Sequence, residues 1–268
     1  MTKPFKVMGV LNGTPDSFSD GGLYVTPDEA LKRVEQMCYE GADIIDIGCE
    51  SSRPGAKTVS LSEELDRLLP ILERVSKNIE IPISIDTYKP EVMKAALEYP
   101  ITMINDIFAF QLPGAIEAVK NKSVDLCVMH NKGMPDSLHS DKQYKDVLNE
   151  VYSFLDERIQ ALRNANIQQE RIIIDPGFGF AKTVEQNVTL LKNISQFSNL
   201  NCQMLIGLSR KSMFHKLMGG TIQDRLPSCL SASLWCYRHG ATWFRTHDVK
   251  QTRHALQMYT LLWKEIEL

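Results

Sequence analysis

The sequence predicts an α/β protein: a (β/α)8 TIM barrel in a single domain spanning residues 1–268. Three observations predict it. Eight short apolar runs recur along the chain, separated by stretches that mostly carry helical periodicity. Each run ends in a polar or charged residue, where such a barrel builds its active site. The length of 268 residues is close to the roughly 250 typical of one such domain.

The first run, 7–11, ends at Asn12 and opens into a polar loop, 12–22, reading NGTPDSFSDGG. That loop is too rich in Gly, Ser and Asp for helix or strand. A helix begins near Thr26-Pro27-Asp28, a Thr cap followed by Pro at the first helical position, and runs to Gly41. Run 44–48 ends at Glu50, with Cys49 between, and a second polar loop follows, 51–60, SSRPGAKTVS. Leu61, Leu65, Leu68, Leu69 and Leu72 stripe a helix over 60–77, with Ser60 and Glu63 as a capping box.

Run 82–85 ends at Asp86 and run 102–104 at Asn105. Helices starting on Pro follow each, over 90–98 and 113–121. Run 126–129 ends at His130, ahead of a long helix over 146–165 with Val147, Val151, Phe154, Leu155 and Ile159 on one face. Run 171–174 ends at Asp175, before a helix over 184–197. Run 204–208 ends at Ser209-Arg210-Lys211, opening a short basic helix over 211–218 and then one over 226–238, which Gly240 ends. Run 243–244 ends at Arg245, followed by His247, and a helix over 249–268 closes the barrel.

Composition narrows the function. Hydrophobic residues make up 43% and charged residues 24%, ordinary values for a globular domain. A net charge of −3 argues against a nucleic-acid partner, which would call for a basic patch. The six cysteines form no C-x-x-C pair and fit a reducing cytosol. No signal-peptide pattern and no apolar stretch near the ~18 residues of a membrane span is present, so a cytoplasmic protein is expected.

Asp86, Asn105 and Asp175 stand together at one barrel mouth. A carboxylate accepts two parallel N–H donors, the fork that an amino group beside a ring N–H presents, as in guanine and pterin rings. Asn both donates and accepts and can serve a ring carbonyl or nitrogen. The alternative for each Asp is a helix cap. Lys211 and Arg245 follow strands 7 and 8, where many barrels hold a phosphate. Arg245 and His247, two apart, face one side of an extended strand end. A surface salt-bridge cluster is the alternative. In the first loop Asp16 and Asp20 could meet a cation, with Asn12 as a metal ligand, since Mg2+ prefers oxygen donors and often binds with a phosphate.

These segments resemble bacterial dihydropteroate synthases. GVLNGTPDSFSDGG (9–22), DIGCESSRPGA (46–56), ISIDTYKPEV (83–92), IND (104–106), VMH (128–130), IDPGFGFAKT (174–183), LIGLSRKS (205–212) and FRTHD (244–248) carry the likeness, in order, over essentially the whole chain. The resemblance implies a folate-pathway enzyme that joins 6-hydroxymethyl-7,8-dihydropterin pyrophosphate to 4-aminobenzoate, giving 7,8-dihydropteroate and pyrophosphate. Carried over by position, Asp86, Asn105, Asp175 and Lys211 would hold the pterin. Asn12, Arg245 and His247 would hold pyrophosphate and its Mg2+, with Asn12 as the metal ligand and Asp20 reaching in. Phe18, Ser52, Arg53, Pro54, Phe180 and Ser212 would shape the aminobenzoate pocket. Asp20, Lys211, Arg245 and His247 would carry the catalysis, and the protein would be a homodimer.

The sequence departs from the family's usual pattern in places. Gly13 replaces a common Val, Cys49 a common Gly and Ser52 a Thr; Ala181 stands where Gly is usual, and Asn131-Lys132 replace a more neutral pair. None removes a pterin or phosphate ligand. Two rivals remain: a pterin-dependent methyltransferase, which binds no pyrophosphate, and a non-catalytic pterin-binding protein.

Overall fold

The computed structural model describes residues 4–14, 26–51, 58–133 and 144–263. Eight parallel strands close a barrel in chain order: β1 Lys6–Asn12, β2 Ile44–Gly48, β3 Ile83–Asp86, β4 Met103–Asp106, β5 Asp125–Met129, β6 Ile172–Asp175, β7 Gln203–Ile206 and β8 Trp243–Thr246. β8 returns to β1, with Met8 opposite Arg245. Among the described residues the helices are α1 Pro27–Tyr39, α2 Leu61–Ser76, α3 Pro90–Ala96, α4 Ala115–Val119, α5 Val147–Asn164, α6 Val184–Lys192, α7 Ser212–Met218, α8 Leu226–Arg238 and α9 Val249–Trp263. The (β/α)8 barrel predicted by the sequence is the fold observed.

The two-residue period of each strand divides its side chains between two compartments. Val7, Ile45, Ile47, Ile85, Ile104, Val128 and Ile174 join the buried faces of the surrounding helices. On α2 that face is Leu68, Ile71, Leu72 and Val75, each worth roughly 1.5–3 kcal/mol when fully buried. The inward residues Met8, Ile44, Met103, Cys127, Ile173, Leu205 and Trp243 form a separate apolar plug. Two positions further along four of these strands, Ile44 gives way to Asp46, Met103 to Asn105, Ile173 to Asp175 and Trp243 to Arg245. The barrel is therefore closed below and polar above.

Local signals set most boundaries. Thr26 makes a full capping box with Glu29. Ser60 accepts from the Glu63 N–H, but the Glu63 carboxylate pairs with Arg67, so only half of the expected box forms. The helix expected from 113 begins after Gly114, whose φ of 88° cannot continue a right-handed turn. The helix expected over 184–197 divides at Asn193, whose side chain donates to the Thr189 carbonyl at 2.8 Å; a 3-10 stretch, Ile194–Leu200, follows. All six cysteines are free thiols. Among the described residues, no helix is long and apolar enough to cross a membrane.

Candidate active site

The floor of the polar half is built on one arginine. Arg245, inward on β8, donates from Nε to Asp46 Oδ2 at 2.6 Å and from Nη2 to Asp86 Oδ2 at 2.7 Å. Register places Asp86 beside Asn105 on one flank and beside Gly48 on the other. A Cβ at Gly48 would lie 3.2 Å from that of Asp86, so the absent side chain leaves the carboxylate its room. Burial pushes the Asp86 carboxyl up to about 7; Arg245 draws it down, while the second carboxylate, Asp46, opposes that. One guanidinium thus serves two carboxylates, one fully buried and one partly buried. His247 Nδ1 lies 3.0 Å from Ser209 Oγ, and Arg245 reaches into the floor.

Asp175, at the end of β6, accepts the Gly177 N–H at 2.8 Å. Burial raises its pKa, against the pull of that N–H and of Lys211. The turn after it needs glycine: Gly177 has φ +71°, and a Cβ there would sit 2.0 Å from the His130 carbonyl oxygen. The turn brings Phe180 under Lys211, whose ammonium stands 4.2 Å from the ring centroid. Burial lowers the Lys211 pKa to about 8, with Asp175 opposing and Arg245 adding to the fall. Phe180 packs with Tyr88, Ile107, Phe108 and Met129 in a small apolar cluster.

Ser209-Arg210-Lys211 forms a turn with Arg210 at φ 60°. Asp248 holds the Arg210 guanidinium at 2.9 Å, and Arg225 donates to the Arg210 carbonyl at 2.9 Å. Ser209 Oγ lies 3.0 Å from His247 Nδ1 and accepts the His247 backbone N–H, which fixes the ring at the end of β8. Ser212 is exposed at the start of α7. Asn12 ends β1, partly buried, and its side chain makes no hydrogen bond among the described residues. No cluster of three or more His, Cys, Asp or Glu able to hold a metal occurs among them. One free amide oxygen fits Mg2+ bound mainly by substrate phosphates. Asp16, Phe18, Asp20, Ser52, Arg53 and Pro54 lie outside the described residues.

Several site residues escape the sequence reading. Asp46 is fully buried and accepts from Ser84, Asn105 and Arg245. Lys182 donates to the carbonyls of Gly177 and Phe180, tying the turn that carries Phe180; burial lowers its pKa to about 7. Asp106 accepts the N–H groups of Phe108 and Phe110, and Arg158 donates to the carbonyls of Ala109 and Phe110. Glu50 and Glu64 share Lys89, and Glu50 also accepts from Val59, across the base of the second polar loop. The available signal for Asp46 was a charge inside an otherwise apolar run. His130 is buried against Phe154 and Tyr144, and burial, then Lys182, lowers its pKa well below the usual imidazole range, so it stays neutral.

Residues 8–247 match the family profile described as pterin binding enzyme. Over 252 residues the chain is 40% identical to the dihydropteroate synthase of Escherichia coli K12, covering 94% of this chain and 89% of that protein. The chain belongs to the dihydropteroate synthase family. A solved dihydropteroate synthase of Xanthomonas albilineans with 4-aminobenzoic acid has a TM-score of 0.91 at 42% identity, covering 97% of this chain and 94% of that one. The same enzyme in complex with 7,8-dihydropteroate gives a TM-score of 0.88 at 38% identity, with the same coverage. As a dihydropteroate synthase family member, the chain is a pterin-binding transferase of folate synthesis.

Proposed function

We propose that this barrel mouth condenses 6-hydroxymethyl-7,8-dihydropterin pyrophosphate with 4-aminobenzoate, and that the residues above divide the work. The observation that carries the reading is the convergence of Asp86, Asn105, Asp175, Lys211 and Arg245 on one polar floor above an apolar plug. Asp175 and Asp86 accept the amino and ring N–H groups of the pterin, Asn105 pairs with its polar edge and Lys211 donates to it. Arg245 and His247 hold the pyrophosphate, with Asp20 reaching in from the first loop.

Breaking the bond between the pterin methylene carbon and the pyrophosphate oxygen sends an electron pair to the leaving group. The guanidinium of Arg245 and the ring of His247 stabilise that charge. The electron-rich pterin bears the positive charge at carbon, the aniline nitrogen attacks, and the new ammonium loses a proton. An aromatic amine needs positioning more than a strong base. Phe180 and Ser212, with Phe18, Ser52, Arg53 and Pro54, line the aminobenzoate side. Mg2+, bound at Asn12 and the substrate phosphates, would supply further charge neutralisation. The working unit is a cytoplasmic homodimer of one-domain chains.

A pyrophosphate-release assay tests the reading. Release requiring both substrates and matched by dihydropteroate is expected. Methyl transfer without release, or pterin binding without turnover, would favour one of the two rivals.

A further inference from the structure

Asp46 has no place in the roles assigned above, yet it is fully buried in the barrel. Its Oδ1 accepts from Ser84 Oγ at 2.6 Å, and its Oδ2 accepts from Asn105 Nδ2 at 3.1 Å and Arg245 Nε at 2.6 Å. A buried carboxylate is costly, and the apolar plug immediately below shows that this barrel can be filled without one. The three donors come from three strands, β3, β4 and β8, so the carboxylate joins elements distant in the chain.

We propose that Asp46 is a positioning residue for the transferase reaction, holding Arg245 and Asn105 in a fixed relation through one carboxylate. The inference rests on the reading that those two residues serve the pterin pyrophosphate. With Nδ2 committed to Asp46, the Asn105 amide is held in one of its two flips, and the acceptor it presents to a ring is set in advance. With Nε on Asp46 and Nη2 on Asp86, the Arg245 plane is fixed by two carboxylates on one edge. Nη1 on the other edge keeps its hydrogens for an anion. Asp86 also serves the pterin when substrate binds, whereas Asp46 lies one inward position deeper, two residues before the Gly48 that pairs with Asp86. Asp46 therefore keeps the arginine oriented through the reaction.

The test is Asp46→Asn, measured beside Arg245→Ala and Asn105→Ala. The expected result is a fall in kcat/KM for the pterin pyrophosphate of about tenfold to a hundredfold, the size met when a residue that orients a metal ligand is lost. KM for 4-aminobenzoate should stay at the parent value. The acid limb of the pH profile should move to lower pH, because Asp46 raises the pKa of its neighbour Asp86. A residue needed only for folding would lower the melting temperature and leave kcat/KM of the folded protein at the parent value. Asp46→Asn should also add little in the Arg245→Ala background, since both act through one unit. Parent kcat/KM in Asp46→Asn, or losses that simply add, would overturn the proposal. If Arg245→Ala and Asn105→Ala leave turnover intact, the underlying reading has failed instead. Should Asp46→Asn not fold, Ser84→Ala, which removes one bond to the same carboxylate, is expected to lower kcat/KM a few-fold; a parent value there would be equally decisive against it.

Discussion

The sulfur of Cys49 occupies the space that a side chain at residue 13 would fill. A Cβ built on Gly13 would lie 2.7 Å from Cys49 Sγ and 3.2 Å from Ile71 Cδ1. The two strand ends are adjacent, with the Gly13 N–H donating to the Gly48 carbonyl at 2.8 Å. Gly13 and Cys49 therefore share one volume across neighbouring strands. Cys49 is buried and burial pushes its thiol up to about 12, so it acts as packing and not as a nucleophile.

Gly13→Val alone is expected to destabilise the barrel by about 1–3 kcal/mol through overpacking. Cys49→Gly alone should cost about 1–2 kcal/mol from the lost contacts and added chain entropy. The double variant should recover most of both. Urea titration of the four proteins measures the coupling, and additive losses would show that the two positions do not share the space.

Strand ends are legible because a barrel enzyme puts polar residues immediately after apolar runs, as Asn12, Asp86, Asn105, Asp175 and Arg245 all stand. Asp46 is not legible, because both faces of a barrel strand are buried and one strand does not reveal which face is interior. The volume shared by Gly13 and Cys49 needs the pairing register, which no single segment contains. The turn at 107–110 holds Ala109 and Phe110 at φ 54° and 57° without a glycine, and its support comes from Asp106 and the distant Arg158.

The dependence of kcat/KM on pH should be bell-shaped. Asp86 must be ionised to accept from the pterin, and its pKa is raised to about 7, so activity falls as pH drops through that value. Lys211 must be protonated to donate, and its pKa is lowered to about 8, so activity falls as pH rises past it. The maximum lies between the two. Lys211→Arg should abolish the alkaline limb at some cost in rate, because guanidinium does not titrate there. An alkaline limb unchanged in that variant would assign it to another group.

Pterin affinity should depend on the charge of Asp175. Asp175→Asn retains the shape but weakens the charge-assisted bonds, and a loss of roughly 1–3 kcal/mol is expected in calorimetry with a pterin lacking pyrophosphate. The bond from the Gly177 N–H survives in the amide, so the turn should keep its form. Unchanged affinity would remove Asp175 from the pterin floor.

Ala181, where the family usually has Gly, sits at φ 47°. A left-handed alanine costs about 1–2 kcal/mol, and replacing it with glycine gives back about 0.5–1 kcal/mol in unfolded-state entropy. Ala181→Gly should therefore stabilise by about 0–1.5 kcal/mol. It should also loosen the turn that holds Phe180 beneath Lys211. A drop in melting temperature would mean that the alanine methyl, which is buried, contributes more than its backbone strain removes.

The homodimer is expected to form on α8 and α9. Part of their apolar surface is covered by the barrel: Tyr237, Cys236 and Leu256 are buried. The rest faces outward, with Trp235 46% exposed on α8 and Met258 55%, Leu261 54%, Leu262 67% and Trp263 54% on α9. Isolated exposed apolar residues are ordinary, but four on the last turns of α9, which packs against α8, mark a candidate contact surface. A two-fold partner covers such a surface with a copy of itself, the commonest arrangement among oligomers. Light scattering at micromolar concentration should give twice the chain mass of 30.4 kDa. Leu261→Glu with Leu262→Glu should shift the species to one chain, with little effect on the barrel core, because neither residue is buried in it. A parent protein of single-chain mass under those conditions would refute the dimer and leave the face to another partner.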